Sequence, residues 1–270
     1  MDFTSPSLSR IITLTTDFGS SDLYVGIMKG VILNINPDVQ IVDITHAIPP
    51  QDIRAAAFII DAAYRYFPPD TIHVIVVDPG VGSSRQAIVC QTETASFVCP
   101  DNGILSHIFC CGETAYRAVA VDNSAYCLPQ ISHTFHGRDI FAPVAAHLSK
   151  GIPLNELGQP INDPVRFPIL TPQVTEKELI GQVIWIDQFG NLITNISYEM
   201  LESFVMQRDF VITAKNVEIH GLNRSYAESA VGAFLAIVGS FDRLEISINQ
   251  GNASRVLRLQ RGDRVTIRKT

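Results

Sequence analysis

Short apolar runs alternate with longer stretches of helical periodicity through the first 150 residues, and that alternation admits few architectures. A strand-helix-strand series stacks into a mostly parallel sheet covered by helices. Ile11 to Thr15 reads as a strand, and Asp22 to Asn34 as a helix with Leu23, Ile27 and Val31 near one face, stopped by Asn36-Pro37. Val39 to Ile44 reads as the next strand. Gln51 to Tyr66 carries a helical stripe from Ile53 to Tyr64 that ends before Pro68-Pro69. Ile72 to Val77 is apolar at nearly every position, as a strand buried on both faces must be. A further helix is expected over Asp139 to Ser149, with Asp139 as its N-cap.

The texture changes after Gly151. Prolines recur at 153, 160, 164, 168 and 172, and short β-rich runs follow at Val183–Ile186, Asp209–Thr213, Leu235–Val238, Leu244–Ile248, Val256–Leu259 and Val265–Ile267. The expected fold is therefore an N-terminal α/β domain with a central, mostly parallel sheet, over residues 1–165. A linker at 166–177 leads to a smaller, all-β C-terminal barrel at 178–270.

Composition excludes several classes of function. With 46% hydrophobic and 17% charged residues the chain is a globular protein, not a disordered one. A net charge of −7 argues against nucleic acid as a partner. The basic tail from Arg255 to Lys269 alternates charged with apolar residues, as the solvated face of half-buried strands does. Apolar runs fall short of the roughly 20 residues that span a membrane. The polar start, Asp2 to Arg10, lacks the features of a secretory signal, so a cytoplasmic location is expected. Five cysteines without paired spacing are expected to be buried thiols.

Polar residues gather where predicted strands end, which is where open α/β sheets bind ligands. Asp17, in Thr16-Asp17-Phe18-Gly19 after the first strand, can accept two hydrogen bonds from a ribose diol or can cap a helix, and Asp22 is the better cap. Val77-Asp78-Pro79-Gly80-Val81-Gly82 follows the buried third strand; it lacks the third glycine of a dinucleotide loop, and Gln86 to Gln91 continues as strand. Asp78 and Arg85 are either a chance ion pair or a functional one. His136, in Phe135-His136-Gly137-Arg138-Asp139, precedes a helix. In Asp187-Gln188-Phe189-Gly190-Asn191, Asn191 can present an amide to an adenine edge and Phe189 can stack on the ring, unless the segment is only a hairpin turn. Phosphate-loop, zincin and serine-hydrolase signatures are absent from the sequence.

Taken in order, these segments together with Pro100-Asp101-Asn102-Gly103 resemble the S-adenosylmethionine (SAM) hydroxide adenosyltransferases, relatives of the fluorinases and chlorinases, from about Ile12 to Arg268. The resemblance implies hydrolysis of SAM to adenosine and L-methionine by water or hydroxide attacking ribose C5′. SAM would be the substrate and no cofactor or metal would be needed. It implies Asp78, Arg85 and His136 around the attacking water, Asp17 on the ribose diol, and Phe189 and Asn191 on adenine. Asp187 and Ser240 would hold the amino-acid end, with Tyr226 and Asp22 as further substrate contacts. It also implies a homotrimer whose active sites lie between one subunit's N-terminal domain and a neighbour's C-terminal domain.

Asp78 stands where the halogenating relatives have an aromatic residue, and Gly137 where they offer a small hydroxyl. The long fluorinase insertion between Arg85 and Pro100 is absent, and Phe241 replaces an arginine. A chloride-transferring enzyme and a non-catalytic adenosine or SAM binder are the rival readings. A metal-dependent hydrolase using Asp17, Asp43, His46 and His136 is a third.

Overall fold

The computed structural model describes residues 11–112 and 115–270, with the side chains of 111 and 112 left undescribed. The chain divides into two compact units, one ending at Pro168 and the other spanning Ile169–Thr270. The segment expected to be a linker contributes strand β8 (Gln173–Val174) to the second unit.

In the first unit the strands are β1 (Ile11–Thr16), β2 (Gln40–Thr45), β3 (Thr71–Val76), β4 (Ala87–Gln91), β5 (Ala95–Pro100), β6 (Arg117–Val121) and β7 (Gly158–Ile161). They form one sheet in the order β2-β1-β3-β5-β4-β6-β7. β2, β1, β3 and β5 run parallel; β4 and β7 are reversed, and β6 returns to the common direction. All six residues of β3 are buried, as its continuous apolar run demands at the centre of a covered sheet.

The helices of this unit are α1 (Tyr24–Ile35), α2 (Ile53–Ala63), α3 (Ala142–Ser149) and α4 (Leu154–Leu157). Val25, Met28 and Ile32 of α1 recur at helical spacing and pack with Val144, Ala145 and Leu148 of α3 and with Ile12 and Leu14 of β1. Each Val, Leu, Ile or Met side chain so taken from water stabilises the fold by roughly 1.5–3 kcal/mol. Asp52 caps α2 by accepting from Ala55 N at 2.9 Å.

Four sequence expectations are corrected here. Asp22 does not cap α1, whose N-cap position is Leu23 and makes no side-chain cap bond. Asp139 is not an N-cap either: it lies inside a π-helical turn, Gly137–Phe141, that precedes α3, and its carboxylate is bound by Ser132 N and Arg138. Residues 158–161, within the proline-rich stretch, are the edge strand β7, where a proline costs little because one side of the strand is unpaired. Of the cysteines, Cys90 and Cys99 are buried but Cys110 is exposed.

The second unit contains β9 (Glu178–Ile186), β10 (Leu192–Ser197), β11 (Phe210–Ala214), β12 (Val217–His220), β13 (Phe234–Val238), β14 (Arg243–Ile248) and β15 (Arg264–Lys269). Their order, β12-β11-β15-β9-β10-β14-β13, makes a nearly closed antiparallel barrel. β9 is the shared stave: its first half pairs with β15 and its second half with β10. Helices α5 (Tyr198–Val205) and α6 (Ala253–Leu257) begin at side-chain caps from Ser197 and Asn252. α6 overturns the strand expected at Val256–Leu259; the Asn252 cap fixes a helical turn there, which buries Ala253 and Leu257 and leaves Val256 exposed.

Candidate active site

β1 and β3 deliver their C-terminal ends side by side, and the loops that follow carry the polar groups. After β3 the chain turns through Gly80 and Gly82. Gly82 has φ +77°, and a Cβ there would lie 2.4 Å from His133 O, so only glycine lets this loop close against the segment before His136. The loop aims Arg85 back at Asp78. Arg85 Nε donates to Asp78 Oδ1 at 2.9 Å, and Arg85 Nη2 donates to Asp78 Oδ2. The second hydrogen of the same Nη2 reaches His136 Nδ1 at 2.7 Å. Both members of the ion pair are largely withdrawn from water, with side-chain exposures of 6% for Asp78 and 10% for Arg85.

A guanidinium cannot accept a hydrogen bond, so His136 Nδ1 must be the acceptor. The imidazole is then neutral and carries its proton on Nε2. Burial, together with the adjacent Arg85 charge, pushes the His136 pKa below the ordinary histidine value, in the same direction as that geometry. Gly137 follows directly, and a Cβ on it would press on Met28 Sδ at 3.1 Å and the Phe135 ring at 3.2 Å.

Asp17 sits just past β1, where its Oδ2 accepts from Gln51 N at 2.7 Å. The loop carrying it is moored to His46: Thr16 Oγ1 lies 2.9 Å from His46 Nδ1, and Gly19 N donates to His46 O at 2.8 Å. Nearby, Phe18, Tyr24 and Phe135 form a mutually touching aromatic trio with centroids 5.1–5.9 Å apart. Asp22 is exposed and stands on the approach to α1.

Asp43 is bound by Lys29 at 2.6 Å and by His46 Nε2 at 3.1 Å, and His136 is bound by Arg85. Among the described residues no group of three or more His, Cys, Asp or Glu is arranged to hold a metal ion.

A second polar cluster belongs to the second unit. The turn joining β9 to β10 is closed by Asp187, whose Oδ1 accepts from Phe189 N and Asn191 N, both at 2.9 Å, while Oδ2 accepts from Asn191 Nδ2 at 2.9 Å. Gly190, at φ +87°, makes the turn and lies against Asn252. Asn191 is buried, Phe189 is exposed, and Tyr226 reaches in from a short 3₁₀ turn with its hydroxyl 3.4 Å from Asn191 Nδ2. Ser240 is exposed on the turn between β13 and β14.

Sequence reasoning missed Glu245 and Ser247. They alternate with Leu244, Ile246 and Ile248 and so read as the wet face of a strand, yet both are buried and bonded to each other, Ser247 Oγ donating to Glu245 Oε1 at 2.7 Å.

A carboxylate, a guanidinium and a neutral imidazole are thus held in one hydrogen-bonded file beyond the strand ends of an α/β unit, an arrangement with the chemistry to orient a small reactant and take a proton from it. The chain belongs to the SAM hydroxide adenosyltransferase family, whose N-terminal domain model matches residues 12–158 and whose C-terminal domain model matches residues 181–266. It is 33% identical to the (R)-S-adenosyl-L-methionine hydrolase of Salinispora tropica, with 95% of this chain and 97% of the relative covered. A solved structure of an uncharacterized conserved protein from Thermotoga maritima superposes with a TM-score of 0.90 at 36% identity, covering 96% of this chain and 100% of that one. The fluorinase of Nocardia brasiliensis is more distant, at 28% identity over 96% of each chain.

Proposed function

We propose that this enzyme hydrolyses S-adenosyl-L-methionine to adenosine and L-methionine by in-line attack of water on ribose C5′. The observation that carries this reading is the single Arg85 nitrogen shared between Asp78 and His136. A carboxylate and a neutral imidazole held by one guanidinium nitrogen suit the orientation of a water, and this supports the reading.

The leaving group is a neutral thioether expelled from a sulfonium, so no acid is required at that end. The difficulty lies in the nucleophile, which must be aligned with the C5′–S bond and relieved of a proton. His136, held in place by Arg85 and by the Ser132 backbone, lies beside the water and orients it. Asp78 keeps a lone pair free of Arg85 and accepts the proton, while Arg85 compensates the charge that develops. Asp17 and the aromatic trio hold the ribose side. Phe189, Asn191 and Tyr226 hold adenine, with Asp187 and Ser240 on the amino-acid end and Asp22 near the methionine.

A halide about 4 Å from the Asp78 carboxylate would meet repulsion of roughly 4 kcal/mol at an effective dielectric near 20. Arg85 offsets part of this, but water meets no such penalty. We also propose that the protein works as a cytoplasmic homotrimer, each active site completed by groups from a neighbouring copy; sedimentation at micromolar concentration should give three times the 29.7 kDa chain mass.

The decisive experiment is turnover of SAM in ¹⁸O-labelled water. Adenosine labelled on its 5′ oxygen supports the reaction. Unlabelled adenosine, or 5′-chloro-5′-deoxyadenosine formed in high chloride, overturns it.

A further inference from the structure

Glu245 is 6% exposed and accepts two hydrogen bonds on Oε1, from Tyr226 at 2.6 Å and from Ser247 at 2.7 Å. The loop bearing Ser240 passes directly over its other oxygen: a Cβ on Gly239 would fall 2.6 Å from Glu245 Oε2. No lysine or arginine pairs with this carboxylate among the described residues.

We propose that Glu245 is a positioning residue that selects the 6-amino group of the base. Acting through Tyr226, it helps commit both amide hydrogens of Asn191 to internal acceptors, so that Asn191 offers a ligand only its carbonyl oxygen. The inference rests on the reading of Asn191 as a base contact.

The argument follows the direction of each bond. A carboxylate can only accept, so the single hydroxyl hydrogen of Tyr226 points at Glu245. Burial and the neighbouring Glu245 push the Tyr226 pKa well above the ordinary phenol value, so that hydrogen is retained. With its hydrogen committed, the Tyr226 oxygen is an acceptor, and it faces Asn191 Nδ2 at 3.4 Å. The other Asn191 amide hydrogen is taken by Asp187 Oδ2 at 2.9 Å. Flipping the amide would set two acceptor oxygens against each other at that distance. Asn191 Oδ1 accepts no hydrogen bond among the described residues, although the residue is 5% exposed.

An acceptor so fixed complements a donor. The exocyclic amine of a 6-aminopurine donates, whereas a 6-oxopurine places a second acceptor there and leaves a buried polar pair unsatisfied. Sites that bond a defined donor discriminate far more sharply than apolar pockets do.

The test compares adenosine with inosine as ligands of the intact protein, alongside SAM turnover. Wild type should bind adenosine at least tenfold more tightly. Glu245→Leu, which keeps bulk and loses the acceptor, should cut that preference at least fivefold and raise KM for SAM more than it lowers kcat. Glu245→Gln, which can still accept from Tyr226, should keep the preference within about twofold. Tyr226→Phe removes the relay without touching Glu245 and should lower the preference as Glu245→Leu does, so the idea stays testable if the leucine variant misfolds. Equal weakening of both nucleosides in Glu245→Leu and Tyr226→Phe, or an unchanged ratio, overturns the role of Glu245 alone. A wild type that neither turns over SAM nor binds adenosine overturns the functional reading beneath it.

Discussion

Arg85 Nη2 is the atom on which the proposed chemistry turns, because its two hydrogens serve Asp78 and His136 at once. Asp78→Ala should therefore lower kcat by 10²–10⁴, the usual contribution of a positioned proton acceptor, and leave KM within a few-fold. Comparable losses in both constants would show that Asp78 only shapes the site. Arg85→Lys retains charge but cannot bridge two partners from one planar group, and it should cost nearly as much in kcat. The pH dependence follows from the His136 polarity. The active form is the neutral imidazole, and its pKa lies below the ordinary value near 6.5. Activity should thus persist as pH falls through 6.5 and decline only in more acid solution. A kcat/KM profile with its acid midpoint at or above 6.5 would contradict the assigned tautomer.

Elements were legible in the sequence wherever one period dominated. The run Ile72 to Val77 has no polar face and could only be a strand covered on both sides, and β3 is fully buried. The Leu244–Ile248 run was legible as a strand, but its function was hidden. Alternation tells which residues share a face, not whether that face meets water, and here the face bearing Glu245 and Ser247 is buried as well as the core face. The candidate catalytic residues could be named because the segments that carry them resemble one family; of the three only Asp78 closely follows a strand end. Their bonding could not, since it depends on the positive φ of Gly82 and on how the His133 backbone closes over it. Gly82→Ala should lower kcat through a displaced Arg85 and lower stability through backbone strain, by about 1–3 kcal/mol in a denaturation experiment. α6 went unread because a capping asparagine outweighed an apolar run.

His73 of β3 shows another consequence of burial. Its Nδ1 pairs with Thr13 Oγ1 at 2.7 Å, its ring stacks on Phe97, and desolvation lowers its pKa to about 3. In the unfolded chain the same group takes up a proton near 6.5. Between those two values the unfolded state holds more protons, so stability falls as pH falls, by up to roughly 1.4 kcal/mol per pH unit from this residue. Below about 3 both states are protonated and the loss ends. Denaturant titrations from pH 6 to 4 should show a shallower slope for His73→Gln than for wild type, and equal slopes would remove His73 as the cause.

At the scale of the molecule, each unit has its own buried core, one built around Ile12, Met28 and Phe141 and the other around Leu179, Leu201 and Ile267. A fragment carrying residues 169–270 should fold alone, and dispersed amide resonances with a cooperative melt would establish it. A molten fragment would show that its core is insufficient. The hydrogen-bonded file of Asp78, Arg85 and His136 lies wholly in one unit, whereas the chain from Asp187 through Asn191 and Tyr226 to Glu245 lies wholly in the other. The two networks share no side chain, so a substitution in one removes no hydrogen bond from the other. The two properties are then separately heritable: a lineage can retune which base it accepts without disturbing how fast it breaks the C–S bond.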